Sequence, residues 1–442
     1  MDSLRRMPPD TSPPSDPHVA TPEPRRQAIS LKGAFRALQH HNYRLLWFGT
    51  LVSSSGDWMD QIAFNWLVYS LTGSAIYLGL VNLCRMVPVL ALTLFGGVVA
   101  DRVERRRLMF TTQSAAMLMA FILATLVVTN LVQVWVVFVI AFGRGVMMSF
   151  NQPARQSLLS ELVPTQDLSN AIALHAATLN LTRIIGPAIG GLLLATVGVA
   201  GAFYLNAASF LAVLYSLAMM RLDERLTKRL PNSVLADLVD GLRYLYSRPQ
   251  LRTIVLLALL PLTFATPYQT MLAVFAKDVL KVGGGGLGLL SASSGIGAVL
   301  GAMSIASIRS DARLGRLMLI GMASLGLSLV AFSLSPWLWL SLPLLAGVGL
   351  SMQVYQTINR TLVQLNVAQE YRGRILSFMY LDRGMVPLGT LLAGFGTATL
   401  GPQIAVGGMA ALLLVTTVLA TYFIPSIGNL SGMTGETDQS LV

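Results

Sequence analysis

The chain has 442 residues, of which 54% are hydrophobic and only 12% are charged, and its mean hydropathy is +0.64. This composition excludes a water-soluble domain, and apolar stretches near twenty residues recur along the sequence, each able to cross a hydrocarbon core of about 30 Å as a helix. The net charge of +11 does not indicate nucleic-acid binding, because the basic residues stand in short gaps between apolar segments, where they set membrane topology.

In chain order, residues 1–34 form a polar, proline-rich segment that we expect to be a disordered cytoplasmic tail. Six spans are predicted at about 45–71, 75–100, 108–129, 134–152, 168–197 and 202–220, which make an N-terminal half at 35–220. A charged cytoplasmic loop at 221–252 follows. Six more spans, at about 253–276, 287–308, 314–334, 337–363, 375–400 and 404–424, make a C-terminal half at 253–425, before a second cytoplasmic tail at 426–442. The fold class predicted is an all-α membrane protein with twelve transmembrane helices.

Lys and Arg concentrate on the cytoplasmic side of short loops during insertion. With the N-terminus inside, about 25 basic residues fall in cytoplasmic segments and about 2, Lys277 and Lys281, fall outside. Both termini are then cytoplasmic. Small loops on a short chain favour a bacterial inner membrane, and we expect a monomer in the lipid bilayer.

The two halves share a weak internal repeat. Arg183-x-x-x-Pro187 in the fifth span matches Arg383-x-x-x-Pro387 in the eleventh, and Gly143-x-Gly145 in the fourth span matches Gly347-x-Gly349 in the tenth. Two matches at nearly the same offset predict a duplicated six-helix unit with its substrate site between the halves.

A loop motif lies between spans two and three, where Gly97 is followed by Asp101, Arg102, Val103, Glu104, Arg105 and Arg106. Here the sequence resembles the major facilitator superfamily, whose marker is a G-x-x-x-D-R-x-G-R-R/K loop. Glu104 stands in place of the second Gly, which is similar to the enterobactin-exporter and macrolide-efflux branch. The resemblance implies a gate loop in which Asp101 stabilises the outward-facing form, with Arg155 as a partner; the alternative is a plain loop that only sets topology.

The fifth span carries a second motif, Gly186-Pro187-x-x-Gly190-Gly191, just after Arg183. It resembles the G-P-x-x-G-G sequence of superfamily exporters. Glycines at this spacing leave a stripe without side chains for tight helix packing, and the proline bends the helix. The motif favours export, although Gly and Pro are common in membrane helices for purely structural reasons. A run of four glycines, Gly283–Gly286, is interpreted as a linker.

Charged side chains inside spans are costly and mark either function or a need for pairing. Seven occur here: Asp57, Asp60, Arg85, Arg144, Arg183, Asp382 and Arg383. Asp57 and Asp60 lie near mid-membrane on one helix face, and a carboxylate facing a movable arginine can load and release a proton as access alternates. Either Asp is therefore a candidate proton carrier, and the alternative is a static pair that only fixes packing. Arg144 matches the arginine of the family's R-x-x-Q-G motif for proton transfer, but Met147 and Met148 replace Gln and Gly.

The resemblance implies a proton-coupled antiporter that exports a small amphipathic molecule, such as a siderophore or a hydrophobic drug. Alternatives on the same fold are an importer or a lysolipid flippase, and a different class is a transporter-like receptor without flux. Four arginines against three aspartates in the spans favour an acidic substrate or one with clustered hydroxyl groups. We expect neither an enzyme nor a metal or cofactor, because no metal-ligand spacing and no phosphate-binding glycine loop occurs.

Overall fold

The computed structural model describes residues 35–221, 234–306, 313–368, 371, 385–425 and 428. Every regular element in these ranges is a helix. The first six long helices follow a short 3-10 turn at Arg36–Gln39 and are α1 (His41–Thr72), α2 (Ala75–Arg102), α3 (Arg105–Val128), α4 (Val134–Glu161), α5 (Thr165–Thr196) and α6 (Gly198–Met219). Gly73 ends α1 with a left-handed backbone, φ +62°, and its N–H bonds the carbonyl of Tyr69, so the chain reverses within three residues.

The remaining helices are α7 (Val234–Ser247), α8 (Pro249–Phe264), α9 (Tyr268–Val274), α10 (Gly283–Ala306), α11 (Leu314–Ser333), α12 (Leu338–Asn366), α13 (Met385–Leu400) and α14 (Pro402–Phe423). A π-helical turn, Phe275–Val279, continues α9. The predicted central loop at 221–252 therefore contains one helix, α7, and the start of α8.

Ten helical segments in the described ranges are long and apolar enough to cross a membrane. They lie on α2 to α6, on the run Pro249–Val279, on α10 to α12 and on α14. Two predicted spans are not among them. Helix α1 has 32 residues but carries polar side chains along its middle, and the described part of the eleventh span, α13, has only 16 residues.

Helix pairing divides the described bundle into two groups. In the first, α2 packs on α4, α3 packs on α4 and α6, and α1 packs on α5 and α6. In the second, α10 packs on α12, α11 packs on α12 and α14, and α13 packs on α14. Two seams join the groups, one between α5 and α10 and one between α2 and α13.

The glycines of the internal repeat make equivalent contacts in the two groups. A Cβ at Gly145 would collide with the Arg85 carbonyl on α2, and one at Gly349 would collide with the Ser294 carbonyl on α10. Gly143 likewise faces Met119 on α3, and its counterpart Gly347 faces Ser328 on α11. The repeat in the sequence thus corresponds to a repeat in packing.

The prediction of a linker at Gly283–Gly286 is wrong, because these residues form the first turn of α10. A Cβ built on Gly284 would meet the Leu194 side chain of α5, and a Cβ built on Gly285 would lie 3.2 Å from the Ala195 side chain. The glycines are used for close helix approach rather than for flexibility.

Candidate functional site

A cavity of about 430 Å³ opens inside the first group of helices, at the level of the middle of α1, α2 and α4. All of the charged side chains predicted in the first four spans line it, together with Arg155 of α4. Its other polar lining comes from Ser54, Gln61, Thr112, Gln113, Asn151, Gln152 and Asn206. We call this space the N-half cavity.

Asp60 and Arg144 form a paired unit on one wall of this cavity. The Arg144 Nη2 donates to Asp60 Oδ1 at 2.8 Å, and Nη1 donates to the other carboxylate oxygen, so the contact is bidentate. Asp60 is 6% exposed, and the Arg144 guanidinium also lies 5.1 Å from the centre of the Phe64 ring. Both charges are therefore neutralised within the protein.

Asp57 lies one turn earlier on α1 and has a different environment. Its side chain is exposed to the cavity, and it makes no hydrogen bond or ion pair with any residue in the described ranges. The charge of Asp57 interacts with those of Arg155, Arg144 and Arg85 without direct contact. Arg155 is 8% exposed and its buried Nε has no hydrogen-bond partner in the described part of the chain. A proton can be added to Asp57 without breaking an existing pair.

A second cavity, of about 210 Å³, lies between the two groups of helices, and we call it the interhalf cavity. Trp58, Gln61 and Arg85 line both cavities. Arg85 Nη1 donates to Gln61 Oε1 at 2.6 Å, and Gln61 in turn donates to Asn65 at 3.3 Å. The guanidinium of Arg183 enters from α5 and lies 5.6 Å from the Trp58 ring centre.

The glycine motif of α5 packs against two neighbouring helices, α1 and α10. Gly186 and Gly190 face α1 at Trp58 and Met59, whereas Gly191 touches Gly288 of α10, with Pro187 close by on the same seam. The Gly191–Gly288 contact lies towards the end of the bundle where α1 stops at Thr72, which we call the Thr72 end, whereas Trp58 and Met59 lie in the middle of α1. The predicted tight packing at this motif is present.

Other contacts also close the Thr72 end. Tyr69 of α1 donates a hydrogen bond to Asp278 in the π-helical turn, and Lys277 lies 5.3 Å from the Tyr69 ring centre. Gly79 of α2 packs on Thr390 and Leu391 of α13, and Gly394 of α13 packs on the start of α2. Both seams are thus closed at this end.

The arginines of the gate loop hold the opposite end of the first group together. Arg105 forms an ion pair with Glu161 at the end of α4, and the Arg106 Nη2 donates to the Ala218 carbonyl at the end of α6, at 2.9 Å. Arg107 pairs with Glu104 at 2.5 Å. Arg102 is exposed, and nothing in the described part of the chain lies within 4 Å of a Cβ built at Gly97.

Several predicted site residues cannot be assigned contacts, because the structure does not describe them. Asp382 and Arg383 are outside the described residues, as is the side chain of Asp101. The partner predicted for Asp101, Arg155, lies in the N-half cavity close enough to Asp57 for their charges to interact. Within the described ranges, no group of three or more His, Cys, Asp or Glu side chains could hold a metal ion.

Comparison with known proteins gives a consistent family. Residues 32–431 match the family described as transmembrane secretion effector. The staphyloferrin A transporter of Staphylococcus aureus is 30% identical over 76% of this chain and 85% of its own length. The multidrug efflux pump Tap of Mycolicibacterium fortuitum is 30% identical over 79% and 88%, and the enterobactin exporter EntS of Shigella boydii is 29% identical over 70% and 72%.

Solved structures share the fold at low sequence identity. A bacterial homologue of the lysosomal transporter Spinster superposes with a TM-score of 0.66 at 14% identity, covering 89% of this chain and 97% of that one. A bacterial homologue of the iron transporter ferroportin gives a TM-score of 0.65 at 17% identity, covering 88% and 99%. Both are homologues of transporters by name.

Proposed function

Because the chain belongs to the transmembrane secretion effector family of the major facilitator superfamily, and is a multi-pass membrane transporter rather than an enzyme, we propose that it exports a small amphipathic molecule in exchange for protons. The substrate is a siderophore or a hydrophobic drug. Transport follows alternating access, with the two groups of helices rocking about the cavities between and within them.

The proposal includes the twelve-helix arrangement in two six-helix repeats. The recurring helix pairs and the equivalent contacts of Gly145 and Gly349 support it. Both termini face the cytoplasm of a bacterial cell and the protein works as a monomer in the inner membrane. The Thr72 end then faces outwards, and the described conformation is the one closed to the outside.

One observation carries the proton coupling: within the described ranges, Asp57 is an unpaired carboxylate inside a membrane-level cavity, beside an Asp60 that is paired with Arg144. When the Thr72 end opens, a proton from outside neutralises Asp57. After the halves rock, the proton leaves to the cytoplasm, because the ionised carboxylate is then stabilised by Arg155 and the other cavity arginines. Asp60 keeps Arg144 in place throughout and is a positioning residue.

Export rather than import is supported by the relatives, among which are a drug efflux pump and a siderophore exporter by name. An importer or a lysolipid flippase on this fold would share the gate-loop contacts of Arg105 and Arg106, so these contacts do not separate the alternatives. A receptor without flux would have only locked charge pairs, which disagrees with the unpaired Asp57.

The test is proton-gradient-dependent transport in inverted membrane vesicles, with dyes, macrolides and siderophores as substrates. We expect Asp57→Asn to abolish substrate-induced proton release, because the amide cannot carry the proton. Asp57→Glu, which keeps the carboxyl group, should retain measurable release and is the matched control.

Two outcomes would contradict the proposal. Full proton release by Asp57→Asn would remove Asp57 as the carrier. Wild-type transport that ignores the proton gradient, or none across the panel, would favour the flippase or the receptor.

A further inference from the structure

We infer that the interhalf cavity is an anion-binding subsite in which Arg183, with Arg85 beside it, holds an oxyanion group of the transported solute. This inference rests on the proposed function, since it assigns a role in substrate binding. It adds a site, the interhalf cavity, that is separate from the Asp57 carboxylate in the N-half cavity.

The lining of the interhalf cavity is positively charged. Two guanidinium groups line the interhalf cavity, and none of its lining residues in the described ranges is an Asp or a Glu. Arg183 makes no hydrogen bond or ion pair with the described residues, and its one contact of note is the face of Trp58. Within the described ranges Arg183 thus has no counter-ion. An uncompensated arginine at membrane depth is costly, and an anion entering the cavity removes that cost.

The N–H donors that Arg85 and Arg183 leave free have a geometry that suits a carboxylate. Arg85 uses Nη1 for Gln61, which is a neutral acceptor and does not cancel its charge. The Trp58 ring between α1 and α5 holds the Arg183 guanidinium by its face, so its N–H groups remain available at their edges. A planar guanidinium presents parallel N–H groups that match the two oxygens of a carboxylate.

The polar side chains on the opposite wall carry no charge. Within the described ranges, the second group of helices contributes Thr266, Tyr268, Gln269, Thr270, Ser291 and Ser294 to the cavity, together with the apolar side chains of Leu272 and Val386. Tyr268 and Ser294 already bond each other at 2.6 Å, and Thr266 bonds a carbonyl of α8 at 3.2 Å. Hydroxyl and amide groups of this kind bind the hydroxyl or carbonyl groups next to a carboxylate, without competing for the arginines.

The cavity volume of about 210 Å³ suits a head group rather than a drug-sized molecule, whose pockets start near 300 Å³. The larger N-half cavity adjoins it through Trp58, Gln61 and Arg85. A solute with one anionic end therefore places that end at Arg183 and its remaining part towards the first group. Arg85 also interacts with the charges of Asp60 and Asp57, so the two cavities share this arginine.

The experiment is calorimetric binding to the full-length purified protein in detergent. The probe is citrate, a hydroxy tricarboxylate, and triethyl citrate is the uncharged control of the same skeleton. We expect citrate to bind the wild type, triethyl citrate not to bind, and Arg183→Gln to weaken citrate by about tenfold or more, because it removes charged hydrogen bonds. Arg183→Lys should restore part of the affinity.

Arg183 has no hydrogen-bond or ion-pair partner in the described ranges, so Arg183→Gln orphans no described carboxylate, and the variant should melt like the wild type. Equal citrate affinity in Arg183→Gln, equal binding of the triester, or absence of citrate binding would each overturn the subsite. Competition of lysophosphatidylglycerol with citrate in the wild type, lost in Arg183→Gln, would support the subsite and assign the oxyanion to a lipid head group. Absence of that competition, with citrate bound, assigns it to a free solute.

Asp57→Asn separates this inference from the proton-coupling proposal. It should still bind citrate, since the carboxylate at Asp57 is not part of the subsite. Citrate binding without proton-coupled flux supports the subsite and rejects the antiporter. Flux that depends on Asp57, together with citrate binding that Arg183→Gln does not change, supports the antiporter and rejects the subsite.

Discussion

The first group of helices surrounds its cavity with five charged side chains, whereas the polar side chains buried in the described part of the second group carry only hydroxyl and amide groups. In the first group, Asp57 is unpaired and Asp60 is locked to Arg144. In the second group, Tyr355 and Asn359 of α12 donate to carbonyls of α8, which ties two helices without charge. In the described part of the chain, one half thus has groups that can change charge, and the other presents neutral polar side chains to the space between them.

The largest effect is expected where the charged half is held together. Arg144→Gln should destabilise the protein by about 3–5 kcal/mol, because it leaves the 6% exposed Asp60 without its partner. The double variant Asp60→Asn with Arg144→Gln should recover much of this loss, since no uncompensated charge remains. The apparent melting temperature of the purified protein measures both.

Equal melting of Arg144→Gln and the wild type would mean that the bidentate pair adds little to the fold. The contrast between a charged half and a neutral half would then be one of function alone, and Asp60 would join Asp57 as a candidate carrier.

A smaller effect is expected at the seam between the halves. Gly191→Ala puts a methyl group against the Gly288 backbone, at 2.9 Å from its nitrogen, so α5 and α10 must separate. Overpacking of this kind costs about 1–3 kcal/mol, which shifts the equilibrium away from the closed Thr72 end by roughly 5- to 150-fold. A cysteine placed at Asn65, with Cys84→Ser, should then react faster with a membrane-impermeant maleimide added from outside.

Gly408→Ala is the matched control, since nothing lies within 4 Å of a Cβ at this position of α14 in the described part of the chain. It should leave the labelling rate of the Asn65 cysteine unchanged. If Gly191→Ala also leaves it unchanged, the seam does not control access from the Thr72 end.

Hydropathy predicted most of the helices, because lipid exposure demands long apolar segments whatever the packing. Helix α1 was placed correctly although its composition falls short of a span, since its polar side chains face the cavity rather than lipid. The pairing of Gly191 with Gly288 was not predictable from one sequence, because it depends on which helices meet. The glycine run at 283–286 was misread for the same reason.

Within the site, the spacing of Asp57 and Asp60 predicted a shared face, but it did not tell which of them is paired. That depends on where α4 presents Arg144, which is a tertiary contact. The family resemblance implies Arg155 as a partner of Asp101 in the gate loop, whereas the structure places Arg155 in the N-half cavity. Its position was readable, since it stands eleven residues after Arg144, close to three full helical turns, and so on the same face of α4.

The smallest effect is expected in the neutral half. Tyr355→Phe removes one hydrogen bond, from the 3% exposed Tyr355 hydroxyl to the Ala258 carbonyl at 3.1 Å, and should cost about 1 kcal/mol. Proton-coupled transport should persist, because the hydrogen bond to the Ala258 carbonyl joins two uncharged groups. If the variant instead melts normally but loses substrate-induced proton release, α12 takes part in coupling and the contrast between the two halves does not hold. Asn359→Ala, which removes the neighbouring hydrogen bond to the Ile254 carbonyl, then tests whether the coupling depends on this helix.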